Sequence, residues 1–254
     1  MTDLCSIDGR LTPRSEGLPE GVYLYQRLRA VDHRPLHAAA HLRLLREASL
    51  RLYGRTAELP EGRIAGEIGA LLRANGYPAG GATVTLRLYA DGRRAITADG
   101  VSLYRGYTLR SLRPAAAVVP WDDRSGWPTS ARREAVRWAQ LEAGRHGARC
   151  AILCDGDGAV RRADDAPLFA VHEGVIYASP AAADVERTLV IAAARRAGIP
   201  LTEQLVGAGQ LGLFDELFVF DCEGVCSIAS CGEARYLSLT AERIAEALAA
   251  LPER

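Results

Sequence analysis

The stretch GARCAILCDGDGAV, residues 147–160, predicts a buried strand that ends in a tight turn. The strand is predicted over 148–155, around the apolar residues 150–154, and the Gly-Asp-Gly sequence at 156–158 is typical of turns. Directly before it, 130–146 has the spacing of an amphipathic helix, and short strands are predicted between residues 160 and 169. This part of the chain is therefore expected to alternate helix and strand.

The same pattern continues to the C-terminus. A hairpin is predicted to turn at Glu173-Gly174, followed by a helix over 184–197 and a shorter helix over 202–207. The sequence FDELFVFDCEGVCSIAS, residues 214–230, predicts another hairpin, and 240–251 a final amphipathic helix.

The N-terminal half begins with strand-forming sequence and then changes to helical periodicity. It predicts a strand over 21–31, helices over 36–53 and 60–75, a hairpin over 82–97 and a strand over 104–112. Interleaved sheet and helix in both halves predict an α/β or α+β fold with mixed sheets.

A segment rich in Pro, Gly and Trp separates the two halves. It reads PAAAVVPWDDRSGWPT over 114–129 and predicts a connecting loop. We therefore expect an N-terminal domain over 1–113 and a C-terminal domain over 130–254. Trp121 and Trp127 are candidates for lining a pocket or an interface, or for covering the core.

Composition excludes several classes of protein. The 254 residues include 31 basic and 31 acidic ones, and a formal net charge of zero argues against a nucleic-acid partner. No apolar run approaches the roughly 20 residues that span a bilayer, and the start MTDLCSIDGR does not resemble a signal peptide. We expect a soluble cytoplasmic protein without a membrane association.

All of the basic residues are arginine, because the sequence contains no lysine. Arginine cannot replace lysine as a nucleophile, since its guanidinium group remains protonated. Chemistry that requires a lysine amine is therefore excluded.

The cysteines permit two interpretations. Cys222, Cys226 and Cys231 have a loosely ligand-like spacing, but Cys222 and Cys226 flank a predicted hairpin turn, and C-x2-C pairs are the usual zinc signature. Buried free thiols fit the pattern better, and we expect no metal.

Several stretches together resemble the class IV aminotransferases, the fold type IV family of pyridoxal phosphate enzymes. The family includes branched-chain and D-amino acid aminotransferases and aminodeoxychorismate lyase. The resemblance runs from about Gly21 to Ile228 and implies two domains, with an active site between them that the partner subunit of a homodimer completes. It rests on HLRLLREAS at 41–49, GARCAILCDGDGAV at 147–160, LFAVHEGVIYASP at 168–180, AGIPL at 197–201 and FDELFVFDCEGV at 214–225.

The resemblance also implies positions for the cofactor residues, and this chain departs from the family at each of them. The Schiff-base lysine corresponds to Thr129, and the glutamate that holds the pyridine nitrogen corresponds to Arg162. Among the phosphate contacts, the arginine corresponds to Leu44, the threonine of the helix start to Glu186, and the hairpin threonine to Cys222. We therefore expect no bound pyridoxal phosphate, and covalent attachment to a lysine is impossible.

Some of these positions form a candidate pocket with other residues. Arg162 either makes a salt bridge with Asp164 or Asp165, or binds a carboxylate ligand. Two N-terminal strands, which face the pocket in the family, contribute further candidates. Each of these is either a pocket residue or an ordinary surface residue. The candidate pocket residues are Tyr25, Arg27, Arg87, Tyr89, Thr129, Arg162, Glu186 and Cys222.

Three functional hypotheses remain. The first is a non-catalytic binding or partner protein, a homodimer or a partner of an active relative. The second is an enzyme repurposed to cofactor-independent chemistry on a small carboxylic acid held by Arg162 or Arg87. The third is residual noncovalent binding of pyridoxal or pyridoxamine phosphate.

Overall fold

The computed structural model describes residues 3–102, 104–121, 126–180 and 184–251. Within these ranges the chain forms two compact units. The first takes its described residues from Met1–Gly106 and Trp127–Ala131, and the second from Tyr107–Gly126 and Arg132–Leu251. The division therefore lies at Gly106, before the predicted connection over 114–129, and residues 127–131 return to the first unit.

The first unit combines one antiparallel sheet with two helices. The sheet has the strand order β2-β1-β6-β5-β3-β4. Its elements are β1 (Leu4–Ile7), β2 (Arg10–Pro13), β3 (Tyr23–Val31), β4 (Arg34–Pro35), α1 (Ala38–Tyr53), α2 (Glu61–Ala74), β5 (Gly81–Tyr89) and β6 (Arg94–Ser102).

The core of this unit lies between α1, α2 and one face of the sheet. Alternate residues of β3 and β5, such as Leu28 and Leu86, are fully buried against Leu45 of α1 and Ile68 of α2. Each such side chain stabilises the fold by about 1.5–3 kcal/mol. The other residues of the same strands lie on the opposite face, where the predicted pocket residues are found.

The second unit contains mixed sheets. One has the order β12-β11-β10-β13-β14 and another the order β16-β15-β7-β8-β9. Its elements are β7 (Ala115–Pro120), α3 (Ser130–Arg145, whose first two residues belong to the first unit), β8 (Cys150–Cys154), β9 (Val160–Ala163), β10 (Leu168–His172), β11 (Val175–Ala178), α4 (Val185–Arg196), β12 (Leu201–Glu203), β13 (Glu216–Asp221), β14 (Gly224–Ser227), β15 (Ser230–Cys231), β16 (Ala234–Arg235) and α5 (Leu239–Ala249).

Helix and strand are interleaved as the sequence predicted, and parallel pairs occur beside antiparallel ones. β7 runs parallel to β8, whereas β8 and β9 are antiparallel. The α+β class with mixed sheets is confirmed.

Two predicted elements are wrong. The strand expected over 104–112 makes only the isolated bridge from Leu109 to Val225, because Gly106 at φ 75° interrupts the extended chain. The helix expected over 202–207 is replaced by β12, whose pairing with β11 outweighs a weak helical pattern.

The predicted connecting loop also contains regular structure. Residues 115–120 form β7, because the Ala-Val run pairs along its length with β8. Trp121 packs against the small core formed by α3 and β8, and Trp127 packs against the core of the first unit. Residues 122–125 of the predicted loop lie outside the described residues.

The cysteines form no disulfide in the described part of the chain, and Cys222 and Cys226 are 2% and 6% exposed. Burial raises the pKa of the Cys226 thiol, and its Sγ lies 3.5 Å from the Leu112 carbonyl oxygen. In the described part of the chain, no group of three or more His, Cys, Asp or Glu side chains is arranged to hold a metal ion. Across the same residues, every helix is too short or too polar to cross a membrane.

Candidate functional site

The predicted site residues fall into two groups, one in each unit. Tyr25, Arg27, Arg87, Tyr89, Thr129 and Leu44 belong to the first unit, and Arg162, Glu186 and Cys222 to the second. Each group is described within its own unit.

In the first unit, the strand register places the aromatic and arginine side chains of the candidate pocket on one face of the sheet. Tyr25 lies opposite Arg87 and Tyr23 opposite Tyr89 in the antiparallel pair β3–β5. Tyr25 and Tyr89 are each 2% exposed and Arg87 is 5% exposed. These three residues are therefore interior groups, not surface ones.

The Arg87 guanidinium is part of a hydrogen-bonded chain that ends at a carboxylate. Its Nη1 donates to Thr97 Oγ1 at 3.0 Å, and the Thr97 hydroxyl donates to Asp99 Oδ1 at 2.9 Å. Thr85 Oγ1 donates to the other Asp99 oxygen. The guanidinium carbon also lies 5.6 Å from the centre of the Tyr23 ring. Polar and cation–π contacts within the unit thus hold Arg87 in place.

Arg27 and Thr129 flank this face through β3. Arg27 is half-buried and lies opposite Thr85. Thr129 forms an isolated bridge with Leu24, and the Tyr25 N–H donates to the Pro128 carbonyl at 2.9 Å. The backbone at Thr129, where the resemblance predicts the family's lysine, is therefore fixed beside β3, and the threonine side chain offers a hydroxyl and no amine.

Helix α1 carries Leu44 where the resemblance predicts the family's phosphate-binding arginine. Leu44 is 5% exposed and faces the core. The adjacent Arg43 points to solvent near Glu47. His41 is buried as well, with its Nδ1 2.6 Å from Gln26 Oε1, a structural contact in the interior of the unit.

In the second unit, Arg162 makes a salt bridge at the start of α4. Its Nη2 lies 3.1 Å from Asp184 Oδ2 and also donates to the Asp165 carbonyl at 3.0 Å. The two charged side chains are only 10% and 9% exposed. The sequence proposed Asp164 or Asp165 as the salt-bridge partner of Arg162. Asp165 contributes its backbone carbonyl, the Asp164 carboxylate accepts the Ala151 N–H at 3.0 Å, and the salt bridge of Arg162 is with Asp184.

Asp184 is also the N-cap of α4, with Oδ1 accepting the Arg187 N–H at 3.1 Å. Burial raises its pKa, but the Arg162 guanidinium, the Arg187 N–H and the Glu186 carboxyl outweigh this effect, so the pKa is lowered. The chain's own carboxylate therefore satisfies the helix terminus, where a bound anion would otherwise be stabilised.

The pKa of Glu186 shifts in the opposite direction. Burial and the neighbouring Asp184 carboxylate raise its pKa well above the ordinary value. A hydrogen bond between the Glu186 and Asp184 carboxyls contributes to both shifts, because it favours a proton on Glu186 and a negative charge on Asp184 beside Arg162.

The raised pKa predicts a pH-dependent effect for Glu186→Gln. A pKa raised by folding gives stability that is complete below the unfolded value and is lost as pH rises through the folded value. Glutamine donates the same hydrogen bond without ionising. We expect Glu186→Gln to lie within about 0.5 kcal/mol of wild type at pH 5 and to become the more stable protein as pH rises to 8.5.

Urea unfolding of both proteins from pH 5 to 8.5 measures the difference. Other titrating groups are common to the two proteins and cancel. If the difference in unfolding free energy between the two proteins stays constant across this pH range, folding does not raise the pKa of Glu186.

Cys222 lies in the turn between β13 and β14, beside a second ionic cluster. The Arg110 guanidinium pairs with Asp221 and lies 3.6 Å from Glu223 Oε2. The turn is close-packed, because a Cβ on Gly224, which has a φ of 122°, would overlap the Thr108 carbonyl oxygen. The Asp221 carboxylate also contributes to the raised pKa of the nearby Glu186.

Sequence reasoning missed three acidic residues with clear partners. They are Asp99 on the Arg87 chain of hydrogen bonds, Asp221 as the partner of Arg110, and Asp184 as the partner of Arg162. A signal existed for Asp184, since Asp is a preferred N-cap and the predicted helix began there. For Asp99 and Asp221, only the folded arrangement of the strands brings the partners within reach.

Comparison with known proteins places the chain in a family. The family model described as Amino-transferase class IV matches residues 23–230. The chain belongs to the class IV aminotransferase family. A search of curated proteins finds no match to it.

Solved structures of family members share the fold. A branched-chain aminotransferase from Thermoproteus uzoniensis, solved with norvaline, superposes with a TM-score of 0.84 at 20% identity, covering 98% of this chain and 94% of that one. The Escherichia coli branched-chain amino acid aminotransferase gives 0.78 at 19%, covering 96% and 92%. The branched-chain amino acid aminotransferase from Thermobaculum terrenum, solved as a mutant, gives 0.79 at 17%, covering 98% and 92%.

Proposed function

We propose that this class IV aminotransferase family member has lost its pyridoxal phosphate site and acts as a non-catalytic binding or partner protein. The internal aldimine of the family requires a lysine amine. Thr129 stands at that position, and no lysine elsewhere in the sequence can replace it.

The observation that carries the proposal is the 3.1 Å salt bridge between Arg162 and Asp184. A pyridoxal phosphate site needs a carboxylate beside the pyridine nitrogen, because the nitrogen is protonated when the cofactor acts as an electron sink. Arg162 instead brings a cation, which repels a pyridinium. Arg162 is already paired with Asp184. Replacing Asp184 by a cofactor group would be unfavourable, because breaking this buried pair leaves an uncompensated charge.

The phosphate end is unfavourable for the same electrostatic reason. Asp184, Glu186 and Asp221 place three carboxyl groups around the start of α4 and the β13–β14 turn. A phosphate dianion would have to displace the Asp184 carboxylate from the helix N-terminus, and the guanidinium groups of Arg162 and Arg110 are already paired with Asp184 and Asp221. Leu44 adds no cation, so the residues present do not fit the cofactor.

The second hypothesis, an enzyme acting on a small carboxylic acid, loses much of its support. It required Arg162 or Arg87 to hold the carboxylate. Arg162 is paired with Asp184, and the charge of Arg87 is balanced by Asp99 through Thr97. A noncovalently bound pyridoxal or pyridoxamine phosphate would meet the same competition from Asp184 and the same paired guanidinium groups. As a partner protein, the chain is proposed to form a homodimer.

A transamination assay tests the proposal. The protein is incubated with pyridoxal phosphate, a branched-chain amino acid and 2-oxoglutarate, and keto acid formation is followed. We expect no product above the protein-free control. Turnover above that control would overturn the loss of catalysis.

The variant Thr129→Lys sharpens the test, because it restores the amine and leaves the residues around Arg162 unchanged. We expect this variant still not to form a tight pyridoxal phosphate complex, since Arg162 and the carboxyl groups remain. A saturable aldimine absorption band in Thr129→Lys, absent from a Thr129→Arg control, would mean that the rest of the cofactor site is intact.

A further inference from the structure

An apolar surface patch lies at the start of helix α5. Leu213, Leu237 and Leu239 are 69%, 57% and 65% exposed. The Leu237 N–H donates to the Asp215 carbonyl at 2.9 Å, so the segment that carries Leu213 runs beside the segment that leads into α5. Three large apolar side chains therefore share one part of the surface of the second unit, although Leu213 is distant from the other two in sequence.

Two arginines flank these leucines. Arg113 Nη2 donates to the Leu237 carbonyl oxygen at 3.1 Å, which holds its guanidinium beside this leucine. Arg243 follows Leu239 by one helical turn, so both side chains lie on the same side of α5. Its Nη2 donates to the Ala197 carbonyl at 3.2 Å, at the C-terminal end of α4. We call the five residues the α5 patch: Leu213, Leu237, Leu239, Arg113 and Arg243.

The positive charge of the patch is not balanced by carboxylates of the chain. Arg113 and Arg243 donate to backbone carbonyls, and across the described residues neither forms an ion pair. Arg195 and Arg196 are exposed in the last turn of α4, next to the residue that Arg243 contacts. They extend the positive surface, because in the part of the chain that the structure describes they too pair with no carboxylate.

The acidic side chains of this region have partners of their own. The Asp215 carboxylate accepts the Glu173 N–H at 2.8 Å and lies 3.6 Å from His172 Nδ1. Glu242 accepts a hydrogen bond from the Ser238 hydroxyl at 3.1 Å. The patch therefore combines an apolar centre with guanidinium groups that retain donors for the carboxylates of another molecule.

From this pattern we propose that the α5 patch is a docking site for a different protein, which presents a short apolar segment flanked by Asp or Glu. The leucines pack against the apolar side chains of that segment, and the guanidinium groups bind its carboxylates in their bidentate geometry. An apolar centre with a charged rim is the ordinary arrangement of protein–protein interfaces. The inference rests on the partner role proposed above and gives the chemistry of the partner.

A protein segment fits the patch better than an anionic membrane does. Glu246 follows Arg243 by three residues on α5, and both Glu242 and Glu246 are exposed beside the patch. Anionic lipid headgroups would repel these two carboxylates, and a flat membrane surface cannot avoid them. A protein partner can leave its own acidic groups out of that part of the contact.

The α5 patch is also separate from the family's cofactor positions in the same unit. Arg162 and Glu186 lie at the first turn of α4, whereas Arg243 contacts the residue that follows its last turn. Twelve helical residues separate the two ends, a distance of about 18 Å. A partner on the patch therefore does not need the site where the cofactor binds in the family.

A designed peptide tests the proposal on the full chain. The probe is a fluorescein-labelled helical peptide of about 18 residues, with leucines at i, i+4, i+7 and i+11 and glutamates beside them. Its fluorescence anisotropy is followed as protein is added. We expect saturable binding in the micromolar range, at least tenfold weaker binding of a matched peptide with lysine for glutamate, and weaker binding at high salt.

Variants of the protein locate the contact. Leu239→Ser and Arg243→Glu should each weaken binding of the glutamate peptide at least fivefold. The matched controls are Leu50→Ser and Arg51→Glu, which change an exposed leucine and an exposed arginine of α1 in the first unit and should change binding less than twofold. Arg243→Glu should also bind the lysine peptide more tightly than wild type does, a gain that misfolding cannot produce.

Three outcomes would overturn the docking site. They are no saturable binding of the glutamate peptide by wild type, binding that Leu239→Ser and Arg243→Glu leave unchanged, and cosedimentation with phosphatidylserine vesicles that the same two variants abolish. The last would assign the patch to a membrane. These variants leave Thr129 and Arg162 in place, so their results do not bear on the loss of catalysis. Turnover in the transamination assay, with the peptide result as expected, would overturn the lost cofactor site alone.

Discussion

We expect Arg162→Ala to lose about 3–5 kcal/mol of unfolding free energy, the largest single effect in the second unit. The variant leaves the Asp184 carboxylate, 9% exposed, without its guanidinium partner. Protonation of Asp184 would not readily relieve this uncompensated charge, because the Arg187 N–H and the Glu186 carboxyl also stabilise the ionised form. Urea unfolding at pH 7 measures the loss.

Two variants control this experiment. Arg161→Ala removes the adjacent arginine, whose side chain is 41% exposed and pairs with Asp155, and should cost no more than about 1 kcal/mol. Asp184→Asn keeps the helix cap and removes the charge, so Arg162→Ala with Asp184→Asn should be more stable than Arg162→Ala alone. Equal losses at positions 161 and 162 would mean that the buried pair contributes no more than a surface one.

We expect Glu216→Ala to lose about 3 kcal/mol, because the residue satisfies the first turn of α5 from within the core. Glu216 is 4% exposed. Its Oε1 accepts the Thr240 N–H at 2.8 Å, and its Oε2 accepts the Ala241 N–H at 3.2 Å. The cap residue Ser238 makes no side-chain capping bond, so no local group replaces the carboxylate.

Glu216→Gln and Glu246→Ala are the matched controls for this prediction. Glutamine retains one acceptor oxygen and should lose clearly less than alanine. Glu246 is an exposed residue of α5, and its removal should change stability by no more than about 0.5 kcal/mol. A loss at Glu216 no larger than that at Glu246 would refute a capping role.

Local sequence signals predicted most of the secondary structure. The helices α1, α2, α4 and α5 were recognisable from their apolar spacing, and α2 and α4 also from the glycines that follow them, Gly76 at φ 69° and Gly198 at φ 64°. The hairpin β1–β2 was missed although Asp8-Gly9 marks its turn. Strands β7 and β12 depend on pairing with β8 and β11, which local propensity does not encode.

The candidate site was predictable in its composition but not in its contacts. Alternation placed Tyr25 and Arg87 on strand faces, and the resemblance placed Arg162 and Glu186 at family cofactor positions. The link from Arg87 to Thr97 and the pairing of Arg162 with Asp184 join residues that are 10 and 22 positions apart in sequence. Such contacts follow from strand register and helix placement.

The most direct test of the lost cofactor site is a titration of the purified protein with pyridoxal phosphate, followed by borohydride reduction and peptide mass mapping. The account predicts no aldimine absorption band characteristic of an active-site lysine and no pyridoxyl adduct on any residue between 3 and 251, because no side chain there carries a primary amine. The α-amino group of Met1 lies outside the described residues and is mapped separately. Tight, saturable binding of pyridoxal phosphate, or an equally tight complex with pyridoxamine phosphate, would contradict the account.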